Sequence, residues 1–241
     1  MRTKLTLDDW YDYSKVHTLT MHHGYKDSVG IYRDECEVEF KDEITVLPEE
    51  VELFDNINTL TLTFKNLDLA ASIKSLAKLP FLGRLYLKSC EYTELTPEIK
   101  KLRSLVLLDV GNSTTWQDNN LTTLPPEIGS LKQLRTLCLN NNRNFKSFPS
   151  EVANLKKLSK IELRGCKSFP ENIHLIPNIE TLDLYDCNVQ PADLIPLITR
   201  PNGLKWITVA EGGSSLFLKL KEDYPGFDVF VERPPILREG W

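Results

Sequence analysis

The histidines, the cysteines and one pair of carboxylates are where chemistry would first be sought in this sequence. The four histidines are His17, His22, His23 and His174. His22 and His23 are adjacent, so along a strand they would point to opposite faces, which is a poor start for a shared metal site. The five cysteines (Cys36, Cys90, Cys138, Cys166 and Cys187) are odd in number and include no CxxC pair. That pattern fits reduced, buried thiols in a cytoplasmic protein better than a disulfide framework or a metal centre. Glu162 and Asp183 fall at the same phase of a recurring pattern and could approach as paired carboxylates. Lys160 and Arg164 beside them favour an ion-pair cluster instead. No glycine-rich phosphate loop, GxSxG or HExxH occurs. No catalytic residue, no metal and no cofactor is expected.

The elements that would position these residues repeat. An apolar residue, two variable, an apolar, one variable and an apolar recur as INTLTL from Ile57, LGRLYL from Leu82, LVLLDV from Leu105 and LRTLCL from Leu134. The same pattern continues as LSKIEL from Leu158, IETLDL from Ile179 and LKWITV from Leu204. By subtraction of those residue numbers, the units lie 25, 23, 29, 24, 21 and 25 positions apart. Between them a second pattern keeps phase: LPEEVELFDNI from Leu47, LTPEIKKLRSL from Leu95, LPPEIGSLKQL from Leu124, FPSEVANLKKL from Phe148 and FPENIHLIPNI from Phe169. The proline pre-sets φ for a short helical turn, and apolar residues three apart suit a tight 3₁₀-like return. The alternating pair in each unit has strand periodicity, and the prolines interrupt any heptad.

A strand plus a helical return at 20–29 residues resembles the leucine-rich repeat family, in its 23-residue plant-intracellular, Ras-scaffold and bacterial type. The likeness covers about residues 44 to 212. It implies an α/β fold: a right-handed solenoid with a curved parallel sheet on the concave side and short helices on the convex side. It also implies a ladder of Asn or Cys three residues past each strand, which places Cys90, Asn119, Asn142, Cys166 and Cys187 as buried residues bonding neighbouring loops. Cys166 and Cys187 would lie on adjacent rungs as free thiols.

Departures mark the organisation. The spacing of 29 leaves an insertion in GNSTTWQDNN, Gly111 to Asn120, which carries Trp116. After Leu67 and after Val189 the proline motif gives way to AASIKSLAKL and PADLIPLI, which read as longer helices. VHTLTM from Val16 repeats the strand pattern, followed by an insertion in which Cys36, Val38 and Phe40 alternate as in a half-buried strand. Residues 1–56 are read as an N-terminal cap with one interrupted repeat, 57–212 as the repeats, and 213–241 as a C-terminal cap and tail, all in one structural domain. Val229 and Val231 fall 22 residues after Ile207 and Val209, the spacing of a closing strand. Pro234 and Pro235 would blunt its edge.

Function should lie on the outward columns of the sheet. The residues selected there are Arg84, Tyr86, Lys88, Asp109, Asn140, Glu162, Arg164, Asp183, Tyr185 and Trp206, with Trp116 on the insertion. Tyr, Trp and Arg supply interface anchors. A non-enzymatic module holding a protein partner across the concave face is the leading expectation. The alternative is a carbohydrate, peptide or other small ligand near Tyr185 and Trp206. A chain of 241 residues with 41 % hydrophobic and 26 % charged residues and a net charge of −5 argues against nucleic acid as partner. No run reaches the roughly 18 apolar residues of a membrane helix, and the polar start reads as no signal peptide. A cytoplasmic monomer is expected.

Overall fold

The computed structural model describes residues 16–26, 32–40, 45–47, 51, 56–63, 67–88, 93–111, 120–210 and 214–232. They build one sheet of ten strands in chain order. These are β1 (Val16–Lys26), β2 (Tyr32–Phe40), β3 (Ile57–Thr63), β4 (Arg84–Lys88) and β5 (Leu107–Asp109), followed by β6 (Thr136–Cys138), β7 (Lys160–Glu162), β8 (Thr181–Asp183), β9 (Trp206–Ala210) and β10 (Asp228–Glu232). From β2 onward every neighbour is parallel. The repeat units stack in register: Leu60 opposes Leu85, Leu85 opposes Leu108, and so on to Leu182 opposite Ile207.

The convex returns follow the two kinds of linker read from the sequence. The proline-led linkers form 3₁₀ turns at Pro97–Lys101, Pro126–Ser130, Ser150–Asn154 and Ile173–Leu175. Bonds three residues apart hold them, as from Ile128 N to the Pro125 carbonyl at 3.0 Å and from Leu131 N to the Ile128 carbonyl at 3.0 Å. Where the proline motif is missing, α-helices replace them: α1 (Leu69–Leu76) and α2 (Pro191–Ile198). Asp68 caps α1 by accepting from Ala71 N at 2.9 Å, and the Asp193 carboxylate accepts from Gln190 N at 2.9 Å at the start of α2. A third helix, α3 (Ser214–Asp223), precedes the closing strand.

Between sheet and turns lies one continuous apolar core. Each unit contributes its two strand leucines and two turn residues; Leu137, Leu139, Ile128 and Leu131 of one unit are all fully buried. Burying such a side chain contributes about 1.5–3 kcal/mol, so each added unit deepens a core that no single unit could form. Phe145 and Phe148 meet edge to face with ring centroids 5.0 Å apart.

At the N-terminal side the pattern gives a strand but not its direction. VHTLTM lies in β1, which runs antiparallel to β2, with Thr20 opposite Glu37 and Leu19 opposite Val38. The segment read as an insertion supplies β2, and it is β2 that joins the parallel ladder, Cys36 opposite Leu60 and Val38 opposite Leu62. At the other end β10 pairs as its spacing implies, Val229 opposite Ile207 and Val231 opposite Val209.

Candidate partner-binding face

Strand alternation sends the leucines into the core and every second residue to the other face of the sheet. Register then sets these residues in columns. The first runs Thr59, Arg84, Leu107, Thr136, Lys160, Thr181, Trp206, Asp228. The second runs Thr61, Tyr86, Asp109, Cys138, Glu162, Asp183, Thr208, Phe230. Two residues further along each strand come Thr63, Lys88, Gly111, Asn140, Arg164, Tyr185, Ala210 and Glu232.

The C-terminal half of this face is a charged network. Lys160 Nζ pairs with Glu162 at 2.7 Å, and Asn140 Nδ2 donates to Glu162 at 3.0 Å. Arg164 Nε donates to Asp183 at 2.5 Å, while its Nη1 and Nη2 donate to the two carboxylate oxygens of Glu232 at 3.1 and 2.5 Å. The guanidinium also lies 5.4 Å from the Tyr185 ring centroid. Arg164 therefore links the end of β7 to β10, with Tyr185 and Ala210 at the intervening positions of its column. Glu162 and Asp183, the candidate carboxylate pair, are each held by a cation instead.

Burial sets the ionisation of this network. Asp109 is pushed up to about 6, chiefly by burial, with the Glu162 charge adding to it and a bond from Gly111 N opposing it. Asp183 is also raised by burial, against the bonds from Arg164 and from Tyr185 N. For Glu162 burial acts upward, but hydrogen bonds from Lys160 and Asn140 outweigh it and the net shift is downward. Cys138, between Asp109 and Glu162 in the column, is buried, and burial together with those two carboxylates drives its thiol well above the ordinary range. A thiol so placed stays protonated and is a poor nucleophile.

Beneath the face runs the ladder that fixes strand spacing. Asn142 is fully buried. Its Nδ2 donates to the carbonyls of Leu139 at 2.9 Å and Val110 at 3.3 Å, and its Oδ1 accepts from Leu121 N at 3.2 Å. On the next two rungs Cys166 Sγ donates to the Leu139 carbonyl at 3.6 Å and Cys187 Sγ to the Leu163 carbonyl at 2.6 Å. Cys138, Cys166 and Cys187 are free thiols. A solved leucine-rich repeat protein of Leptospira interrogans matches with a TM-score of 0.54 and 28 % identity, covering 68 % of this chain and 40 % of that one.

The chain is a leucine-rich repeat protein.

Among curated proteins it is 29 % identical over 158 residues to TMV resistance protein N of Nicotiana glutinosa, covering 64 % of this chain. It is 26 % identical over 231 residues to a disease resistance-like protein of Arabidopsis thaliana, covering 75 % of this chain. The chain spans only 13 % and 18 % of the lengths of those two relatives. No protein-family model matches it.

The residues selected from this leucine-rich repeat sequence fall into three groups. Arg84, Tyr86, Lys88, Asp109 and Trp206 stand on the face in the columns assigned to them. Asn140, Glu162, Arg164, Asp183 and Tyr185 also stand there within the bonded network: Arg164 joins Asp183, Tyr185 and Glu232, while Asn140 and Lys160 hold Glu162. Trp116 lies outside the described residues, as do the ladder positions Cys90 and Asn119. The sequence reading missed Phe230 and Glu232, although carrying the columns one strand further, through the Val229 and Val231 spacing, finds both. It also missed the left-handed residues Asn141, Gly165 and Asp186 (φ 61°, 70° and 56°), one before each ladder residue. Asn, Gly and Asp are the types that tolerate this conformation, so their recurrence was the available signal.

A cleft of about 540 Å³ opens beside the C-terminal repeats, lined by residues that include Arg143, Lys167, Asp186, Asn188, Val209 and Phe217. Neither Tyr185 nor Trp206 lines it. Among the described residues no group of three His, Cys, Asp or Glu could hold a metal ion, and no helix is long and apolar enough to cross a membrane.

Proposed function

We propose that this leucine-rich repeat chain is a non-enzymatic, cytoplasmic interaction module that holds a protein partner across its concave face. The observation that carries the reading is the register itself. Three columns of polar and aromatic side chains stand on a parallel sheet whose spacing is locked from below by Asn142, Cys166 and Cys187. Such a surface is ordered before a partner arrives, so little conformational entropy is lost on binding. Arg84, Tyr86, Lys88, Asp109, Asn140 and Trp206 make the contacts; Glu162, Arg164, Asp183 and Tyr185 hold the face in shape and present its charge. Trp116 on the insertion is a second contact point. The relatives named for resistance fit a recognition role for the repeats, and their activity as whole proteins is not transferred to a chain spanning so little of them. The small-ligand reading would place a closed pocket at Tyr185 and Trp206, whereas the cleft found at that end is bordered by other residues.

Affinity purification with quantitative mass spectrometry tests this. A Tyr86→Ala/Lys88→Glu/Asn140→Ala variant should lose partners that the wild type retains, while a convex-side Lys132→Glu/Lys157→Glu variant should retain them. Equal recovery by both variants refutes the concave-face assignment.

A further inference from the structure

Two large aromatic side chains are left in water at the C-terminal end of the face: Trp206 is 49 % exposed and Phe230 is 64 % exposed. Trp206 is opposite Asp228, and Phe230 is opposite Thr208. The two rings therefore start from diagonal positions on adjacent strands and one face, roughly 8 Å apart at Cα from the strand spacing and rise. That separation suits a flat cation held between them, within about 6 Å of each ring centroid.

Charge points the same way. On β3 and β4 the three columns carry Arg84 and Lys88 and no acid. From β5 to β10 they carry Lys160 and Arg164 against Asp109, Glu162, Asp183, Asp228 and Glu232. The aromatic end is thus the negative end. Asp228 is paired with Lys221 at 2.7 Å, but both side chains are about half exposed, and pairs of that kind contribute little and exchange readily. The face already seats one guanidinium in such surroundings: Arg164 lies against Tyr185 with Asp183 and Glu232 as its anions.

Resting on the concave-face reading, we propose that Trp206 and Phe230, with Asp228, receive an arginine or lysine side chain from an extended basic segment of the protein partner. The aromatic faces supply cation–π attraction and apolar cover for the side-chain stem, and the carboxylate supplies charge.

The test titrates the full chain, with its tryptophan indoles ¹⁵N-labelled, with a (Gly-Arg)₅ peptide. (Gly-Gln)₅ and (Gly-Glu)₅ serve as controls, and the Trp206 resonance is assigned by Trp206→Phe. The arginine peptide should move the Trp206 signal and the controls should not. Trp206→Ala and Phe230→Ala should each weaken binding by about 5–10-fold without changing the urea midpoint, and Asp228→Asn should weaken it less. The proposal is overturned by equal response to the glutamine peptide, or by unchanged affinity in both alanine variants. A Trp206 signal that moves with protein concentration alone also overturns it, by assigning the aromatic pair to a second copy of the chain. Loss of arginine-peptide binding in Asp109→Asn/Glu162→Gln but not in Trp206→Ala moves the cationic site to the middle of the face. That result overturns this proposal and leaves the concave-face reading standing, whereas partner recovery equal in all face variants removes both.

Discussion

Replacing Asn142 by alanine tests the ladder most directly. The side chain is fully buried and satisfies three backbone groups: Leu121 N, the Val110 carbonyl and the Leu139 carbonyl. The Leu139 carbonyl keeps other donors in Asn142 N and Cys166 Sγ. Truncation therefore leaves the buried Leu121 N without this acceptor at about 1–3 kcal/mol, the bond to the Val110 carbonyl is lost as well, and a small cavity adds to that. A loss of about 2–4 kcal/mol is expected. With a urea slope near 3 kcal/mol/M, that lowers the unfolding midpoint by about 1 M. Asn142→Cys imports the residue the chain itself uses at positions 166 and 187. It restores a donor toward a carbonyl but leaves Leu121 N unmet, so it should recover roughly half of the loss. Urea melts followed by circular dichroism read both variants, with the slope checked for constancy because repeat arrays can unfold in parts. A loss under about 1 kcal/mol for the alanine variant, or a cysteine variant no better than alanine, refutes the reasoning.

Four other outcomes are expected. The folded-state pKa of Asp109, raised to about 6, means that the stability it contributes is present below its unfolded value near 4 and is lost as pH rises through 6. Asp109→Asn keeps an acceptor for Gly111 N, so it should stabilise the protein at pH 7.5 by roughly 2 kcal/mol, with the gain vanishing near pH 4; urea melts across that range check it, and a pH-independent gain contradicts it. Arg164→Met should cost only about 1 kcal/mol, because the side chain is about a third exposed and screened, yet hydrogen exchange should quicken selectively in β10; uniform quickening over the sheet argues against Arg164 holding β10 through Glu232. Cys166, pushed up to about 12 by burial, and Cys138 and Cys187, driven above the ordinary range, should resist a thiol reagent at pH 8 until the chain is unfolded, and rapid labelling of the native protein at those positions contradicts this. Gly129→Ala places a Cβ 2.5 Å from the Glu151 carbonyl oxygen of the next turn and should lower stability by about 1–3 kcal/mol, as a thermal melt would read.

How far the sequence spoke depended on whether a feature was periodic. The strand positions, the outward columns, the exchange of 3₁₀ turns for helices at α1 and α2, and the pairing of Val229 with Ile207 all follow from spacing. Spacing places a residue on a face, and the solenoid repeats that placement. Direction is not periodic: VHTLTM has the right alternation, yet nothing in it says that β1 runs against β2. Side-chain reach is not periodic either. The sequence put Arg164 in a column, but its bond to Glu232, 68 residues away, depends on how far the side chain extends along the face. The buried bond from Leu47 N to Ser72 Oγ at 2.9 Å likewise had no repeat to announce it.

The bonds of Asn142 have one more consequence. Val110 precedes the stretch 112–119 and Leu121 follows it, so a single amide ties the outgoing and returning chain together. Both feet of that stretch are anchored to the same side chain, which makes them a socket. A change in the length of 112–119, such as an inserted foreign peptide, should leave β5 paired with β6 as long as Asn142 is kept, because lengthening a closed loop adds little entropic cost.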